Sequence, residues 1–158
     1  PTPLTIEFMK SYKANKALIY KPYGVWIEDT LLKFFEPKFG GSSSVIQNEQ
    51  SSKYFEAECF TMETLMKENG HDNISVFKAD IEGAALPILI QMVSNEIYPD
   101  QIIVEFERPK NDSFKIEKFF QDLTMLREKL KEYGYIEYLL PRKEAKYFSK
   151  SLDFMGCR

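Results

Sequence analysis

Residues 74–108, ISVFKADIEGAALPILIQMVSNEIYPDQIIVEFER, decide the fold of this chain. The residues that lead to Asp80 are rich in β-branched and aromatic side chains, which favour a strand. Residues 101–107 are apolar until their acidic end, as in a strand covered on both faces of a parallel sheet. Between them, apolar residues recur at the spacing of a helix with one broad buried face: Ala84, Leu86, Ile88, Leu89, Met92 and Val93. The segment therefore predicts a βαβ unit.

Both predicted strands end in carboxylates. Asp80 and Glu82 follow the first strand, and Glu105 and Glu107 close the second. In open α/β sheets, ligands bind at the carboxyl ends of the strands. Neighbouring carboxylates raise one another's pKa, which suits removal of a proton from a hydroxyl group. The alternative is structural, with Asp80 capping the next helix and the glutamates pairing with nearby basic side chains in solvent.

Length and composition place this chain of 158 residues among globular proteins, and we expect a single domain over residues 1–158. The net charge of −3 gives no reason to expect nucleic acid or a membrane surface as a partner. The apolar run 84–93 is too short to span a bilayer, and the first residues lack the apolar core of a signal peptide. Cys59 and Cys157 are too few for a disulfide framework or a zinc site, so we expect a cytoplasmic protein without a metal.

The N-terminal part predicts a helix and a hairpin. Residues 2–16 are helical in pattern, with Leu4, Phe8 and Tyr12 on one face. Residues 17–26 and 31–36 predict two strands joined as a hairpin. The glycine- and serine-rich residues 37–52 are long for a loop, which indicates either a functional segment or a plain connector.

The remaining elements complete an α/β pattern. The predicted elements are a strand over 54–60, a short helix that ends at Gly70, a helix over 114–133, and strands over 135–140 and 147–157, the last antiparallel. No nucleotide-binding glycine motif is present. His71 follows the short helix, where a histidine usually complements the terminal carbonyls. A metal or hydrolytic enzyme that uses His71 with the acidic residues is a third hypothesis.

The sequence FKADIEG at residues 77–83, followed by an apolar helix and by PDQIIVEF at residues 99–106, resembles the FkbM-type methyltransferases. These are S-adenosylmethionine-dependent enzymes of the Rossmann-like class. Their signature strand ends in K-[IV]-D-[IV]-E-G and follows a threonine-leucine helix, which TMETLM at residues 61–66 resembles. The resemblance extends from about Ala17 to the C-terminus.

This resemblance implies a Rossmann-like, mostly parallel sheet flanked by helices, with an antiparallel last strand. It implies S-adenosylmethionine as the cofactor and a small-molecule or glycan hydroxyl as the methyl acceptor. By the same resemblance, Asp80 lies nearest the reacting centre, and Glu82 and Glu105 position the substrate or accept a proton. The residues implied to flank the adenine side are Tyr23, Gly24, Val25 and Trp26.

The chain also departs from the family pattern. The glycine-rich turn of the family's first strand and the acid that ends its second have no counterpart here, so we expect a domain truncated at its N-terminus. Ala85 stands where the family often has a second acid after the glycine. Because the family's strand order is 3-2-1-4-5-7-6, loss of two strands would expose an edge of the strand that leads to Asp80.

An exposed edge has three expected consequences. They are a neighbouring chain in a homo-oligomer, a rearranged sheet in which the hairpin moves inward, or loss of normal cofactor affinity. The alternative function is a non-catalytic interaction module that recruits a partner through this edge and the serine-glycine loop.

Overall fold

The chain divides into two compact units, Pro1–Thr61 and Met62–Arg158, in a computed structural model. The described residues are 2–12, 18–35, 53–81, 83–109, 112–139 and 151–157. Helix α1 and strands β1 to β3 lie in the first unit, and the remaining elements lie in the second. Among the described residues, no helix is long and apolar enough to cross a membrane.

The first unit contains helix α1 (Pro3–Ser11) and a sheet of three strands. The strands are β1 (Gly24–Val25), β2 (Thr30–Phe35) and β3 (Tyr54–Phe60). Strand β3 lies in the middle, parallel to β1 and antiparallel to β2. The predicted N-terminal hairpin is therefore wrong, because β3 separates the two strands that were expected to pair.

A side chain at the start of β2 contributes to this arrangement. Asp29, just before β2, accepts a hydrogen bond of 2.7 Å from the backbone N–H of Thr61. This bond holds the start of β2 beside the end of β3, so β2 extends along β3 and leaves the other edge of β3 for β1. Strand β2 pairs with β3 from Tyr54 to Cys59, whereas β1 pairs only with Cys59 and Phe60.

Helix α1 begins as predicted and ends early. Thr2 caps it by accepting a hydrogen bond of 3.2 Å from the backbone N–H of Thr5. Its last residue is Ser11, Tyr12 is extended, and residues 13–16 of the predicted helix lie outside the described part. The predicted apolar face is solvent-exposed in the chain, with Phe8 stacked on Tyr12.

The second unit is an α/β layer structure. Its sheet has the strand order β4-β5-β7-β6. The elements in chain order are α2 (Met62–Asn69), β4 (Val76–Ala79), α3 (Ala85–Ser94), β5 (Gln101–Glu107), α4 (Ser113–Glu132), β6 (Ile136–Leu139) and β7 (Ser151–Cys157). Strands β4 and β5 are parallel and are joined through α3, which confirms the βαβ unit.

Helices α3 and α4 supply most of the buried side chains of this unit. All six residues of the predicted apolar face of α3 are buried, with Ile88, Leu89 and Met92 fully enclosed. The predicted core face of α4 is confirmed at four positions, Phe119, Leu123, Leu126 and Leu130. Phe120 was also expected there, but its side chain is 44% exposed.

The strand directions of this sheet agree with the prediction. Strands β4, β5 and β6 run in the same direction, because β7 lies between β5 and β6 and is antiparallel to both. The antiparallel last strand is confirmed, and the order matches the final four positions of the family order. In the described part of the chain β4 lies at the edge of its sheet, so the expected inward shift of the hairpin is wrong.

Candidate functional site

Two of the predicted acidic residues lie side by side at the carboxyl end of the parallel strand pair. Ala79 of β4 is in register with Val104 of β5, and the next residue of each strand is Asp80 and Glu105. Ala79 and Val104 are buried, so the alternation along the strands directs Asp80 and Glu105 to the opposite face. The structure therefore brings these two predicted site residues together.

The third strand adds an acidic position that the sequence did not reveal. Glu105 is in register with Asp153 of β7 on its other side. The family strand order already implies that the last strand lies beside the fifth, but Asp153 itself was not among the predicted site residues. Glu105 and Asp153 are thus register partners on β5 and β7, and Asp80 is the first residue after β4.

The surroundings of the two predicted carboxylates differ. Asp80 is exposed to solvent, and Glu105 is half-buried. Glu105 and Glu107 also take part in interactions with other groups of the chain, which reduces their freedom to move. Glu82, the third predicted site residue of this segment, lies outside the described residues, and its role stays a prediction.

The turn after Asp80 shows that Asp80 is not a helix cap. Helix α3 begins at Ala85, and its N-cap residue, Ala84, makes no side-chain capping hydrogen bond. Gly83 has a φ of 84°, a left-handed conformation that glycine adopts without strain. The chain therefore turns sharply between β4 and α3. The alternative prediction that Asp80 caps helix α3 is wrong.

The residues predicted to flank an adenine lie in the first unit. Gly24 and Val25 form β1, and the backbone N–H of Trp26 donates a hydrogen bond of 2.9 Å to the carbonyl oxygen of Phe60. The Tyr23 ring contacts the Phe60 ring edge to face, with 5.0 Å between the ring centroids. A cofactor role of residues 23–26 stays a prediction.

Gly24 also has a packing role. A Cβ atom at this position would lie 2.7 Å from the Sγ atom of Cys59 and 3.4 Å from the Cζ atom of Phe34. The Cys59 side chain is fully buried, and burial raises the pKa of its thiol, against a smaller lowering by a hydrogen bond with the Gly24 backbone. Close approach of β1 to β3 thus requires glycine here.

Two cavities are lined by other residues. The cavity of the second unit has a volume of about 520 Å³ and lies between α4 and β6, beside the ion pair of Arg127 and Glu137. The cavity of the first unit has a volume of about 630 Å³ and lies between α1 and the sheet. Asp80 and Glu105 line neither cavity.

His71 forms a backbone hydrogen bond at the C-terminal end of helix α2. Its backbone N–H donates a hydrogen bond of 2.9 Å to the carbonyl oxygen of Met66, and Gly70 before it has a φ of 64°. This is the glycine-terminated helix end that the sequence predicted. Among the residues that the structure describes, no group of three or more histidine, cysteine, aspartate or glutamate side chains could hold a metal ion.

Comparison with known proteins gives one match. The family model described as a methyltransferase FkbM domain matches residues 13–137. This segment covers well over half of the chain and includes β4, α3, β5 and both Asp80 and Glu105. Neither the curated proteins nor the solved structures contain a match.

Proposed function

The chain belongs to the methyltransferase FkbM domain family, and from this premise we propose that it transfers a methyl group from S-adenosylmethionine to a hydroxyl oxygen of a sugar or another natural product. The observation that supports this proposal best is that Asp80 and Glu105 directly follow Ala79 and Val104, the last register pair of β4 and β5. Both lie within the segment that matches the family and at the carboxyl end of parallel strands, where α/β sheets bind ligands.

The carboxylates suit the chemistry of this cofactor. S-adenosylmethionine supplies an activated methyl group on a positively charged sulfur atom. Exposed Asp80 provides a negative charge for such a cation, and its oxygens accept hydrogen bonds from hydroxyl or ammonium groups. Asp80 is therefore assigned to the cofactor and the reacting centre, whereas Glu105 and Glu82 are assigned to the acceptor.

The acceptor hydroxyl must lose a proton as its oxygen attacks. Glu105 or Glu82 would accept this proton and hold the hydroxyl in line with the methyl group. Methyl transfer from an activated sulfur needs little further acid-base assistance, so alignment contributes most of the rate.

The test is methyl transfer from isotopically labelled S-adenosylmethionine to a panel of hydroxylated acceptors. We expect product with the unchanged chain and a loss of at least about a hundredfold in Asp80→Asn, because the charge beside the methyl donor is removed. Glu105→Gln should lower the rate of methyl transfer by about tenfold to a hundredfold, because glutamine cannot accept the proton of the acceptor hydroxyl.

A matched control uses an acid outside the proposed site. Asp72 is exposed in the loop after α2, so Asp72→Asn removes one carboxylate of the same kind from the surface. Its rate should equal that of the unchanged chain. Equal rates for Asp80→Asn and Asp72→Asn would contradict the assignment of Asp80.

A second candidate is a non-catalytic interaction module. The observation that favours it is the edge position of β4 in the described part of the chain. The two functions differ in their dependence on Asp80. A chain that binds a protein partner with the same affinity after Asp80→Ala, and that takes up no S-adenosylmethionine, would be such a module.

A further inference from the structure

The sequence contains one asparagine that is followed by glycine, and this pair lies at the end of helix α2. Asn69 is the last residue of the helix, and Gly70 follows it with a φ of 64°. Glycine has no Cβ atom, so its backbone nitrogen reaches the carbonyl carbon of a preceding asparagine side chain with little hindrance. Gly70 is exposed, and a Cβ atom built on it would meet no described residue within 4 Å apart from its chain neighbours. The pair therefore has the chemistry and the access that deamidation requires.

Two hydrogen bonds restrain the reacting groups of this pair. The Nδ2 atom of Asn69 donates a bond of 2.6 Å to the carbonyl oxygen of Leu65, which fixes the side-chain amide along the helix. The backbone N–H of Gly70 donates a bond of 3.3 Å to the carbonyl oxygen of Lys67, which occupies the nitrogen that would attack. Both bonds belong to the last turn of α2, and helix ends open at a much lower free-energy cost than a core does.

We propose that Asn69 is a spontaneous modification site of the folded chain, and that opening of the last turn of α2 sets the rate of its deamidation. The Gly70 nitrogen loses its proton to solvent and forms a bond to the Asn69 Cγ atom. The bond from Cγ to Nδ2 then breaks, and the amide nitrogen leaves as ammonia. Water opens the resulting succinimide at either of its carbonyl carbons, which yields aspartate or isoaspartate. The reaction needs no reagent other than water.

Either product weakens the end of α2. An aspartate adds negative charge at the C-terminal end of a helix, where the helix dipole is also negative. Its carboxylate has no N–H group to donate to the Leu65 carbonyl oxygen. An isoaspartate lengthens the backbone by one methylene group just before Gly70, which disturbs the bond of 2.9 Å from the His71 N–H to the Met66 carbonyl oxygen. Modification of Asn69 thus loosens the segment that leads from α2 to β4.

Incubation of the full chain at constant pH and temperature, folded in buffer and unfolded in guanidinium chloride, measures the reaction. Water enriched in heavy oxygen labels the products, and peptide mapping by mass spectrometry counts them. Because two hydrogen bonds must break first, conversion at Asn69 should be about fivefold to a hundredfold slower in the folded chain than in the unfolded one. Asn73 and Asn95 precede larger residues and should remain amides over the same period. Asn69→Gln should abolish conversion at this position.

A charge reversal tests whether local opening controls the rate. Lys67 is exposed in the last turn of α2, where its positive charge is favourable to the helix dipole. Lys67→Glu should make this turn open more often and accelerate conversion in the folded chain by about threefold or more, with little change in guanidinium chloride. Lys129→Glu is the matched control, because it makes the same reversal in the last turn of α4. It should leave the conversion rate of Asn69 unchanged.

Hydrogen exchange tests the effect of the product. Asn69→Asp supplies the aspartate form as a defined protein. Exchange of the His71 amide should be about tenfold faster in Asn69→Asp than in the unchanged chain, because the end of the helix has lost one bond and gained an unfavourable charge. Equal exchange in the two chains would contradict the proposed loosening of this segment.

The remaining outcomes separate the modification from its control by the helix. Slow conversion in the folded chain that Lys67→Glu accelerates and Lys129→Glu does not supports the proposal. A folded chain without any conversion at Asn69 overturns it. Equal rates in the folded and unfolded chain, or equal effects of the two charge reversals, overturn the role of the last turn of α2. None of these measurements uses methyl transfer, so they hold whether or not the chain is an active enzyme.

Discussion

Substitution of Gly24 by alanine should destabilise the first unit through one atomic overlap. The added Cβ atom would lie 2.7 Å from the Cys59 Sγ atom, whereas ordinary contacts begin near 3.4 Å. Cys59 is fully buried, so its sulfur has no free space to move into. Strand β1 must instead move away from β3, and overpacking of this kind costs about 1–3 kcal/mol.

Denaturant unfolding followed by fluorescence measures this cost. The protein has a single tryptophan, Trp26, which lies two residues from Gly24 and bonds to Phe60 of β3, so its emission reports on the first unit. Gly24→Ala should lower the free energy of unfolding by about 1–3 kcal/mol. The Cys59→Ala background removes the sulfur and leaves a Cβ atom at an ordinary distance of 3.8 Å.

The double variant separates the overlap from other causes. In the Cys59→Ala background the penalty of Gly24→Ala should shrink by about 1–2 kcal/mol, which is a coupling typical of residues in direct contact. If the Gly24→Ala chain is as stable as the parent, the added Cβ atom does not overlap with the Cys59 sulfur. An equal penalty in both backgrounds would show that the backbone of β1, and not the Cys59 sulfur, sets the cost.

Three further predictions concern single side chains. Tyr135→Phe removes the hydrogen bond that the buried Tyr135 hydroxyl donates to the Pro99 carbonyl oxygen, and thermal unfolding should show a loss of about 1–2 kcal/mol. The pKa of Asp112 is lowered, chiefly because the Lys115 backbone N–H donates a hydrogen bond to its carboxylate. Asp112 therefore stabilises helix α4 fully above the unfolded pKa of about 3.9, and this stabilisation is lost as pH falls through the lower folded pKa. Circular dichroism should show this acid loss in the parent and not in Asp112→Asn, since asparagine caps without titrating; equal acid profiles would contradict the assignment. Because Cys59 is buried and its pKa is raised, a thiol reagent should label it slowly in the folded chain and fast in denaturant. Peptide mapping measures both labelling rates, and equal rates would show that the Cys59 thiol is accessible in the folded chain.

The sequence predicted local structure best where one segment contains its own signals. The apolar spacing of α3, the Gly70 end of α2 and the buried positions of α4 each depend on residues within a few positions of one another. Backbone geometry alone determines these features. The candidate site shared this advantage, since Asp80 and Glu105 lie at the ends of two strands joined by one helix.

Features that depend on distant partners were predicted less well. Strand β2 pairs with β3, which begins at Tyr54 and is distant in sequence, and no signal near residue 30 indicates this over the expected hairpin. The exposure of Phe120 depends on which part of the α4 surface packs against the rest of the unit. The apolar periodicity alone predicted a buried face of α4 that was wide enough to include Phe120. The position of Asp153 beside Glu105 follows from the insertion of β7 between β5 and β6, which the local pattern does not encode.

Calorimetric titration of S-adenosylmethionine into the full chain tests the central claim most directly. We expect saturable binding that weakens by at least about tenfold in Asp80→Asn, because the site loses the charge that faces the cofactor's cation. Asp72→Asn should bind like the unchanged chain. Absence of any heat at millimolar cofactor, or binding that Asp80→Asn leaves unchanged, would contradict the claim that the carboxyl end of β4 holds the methyl donor.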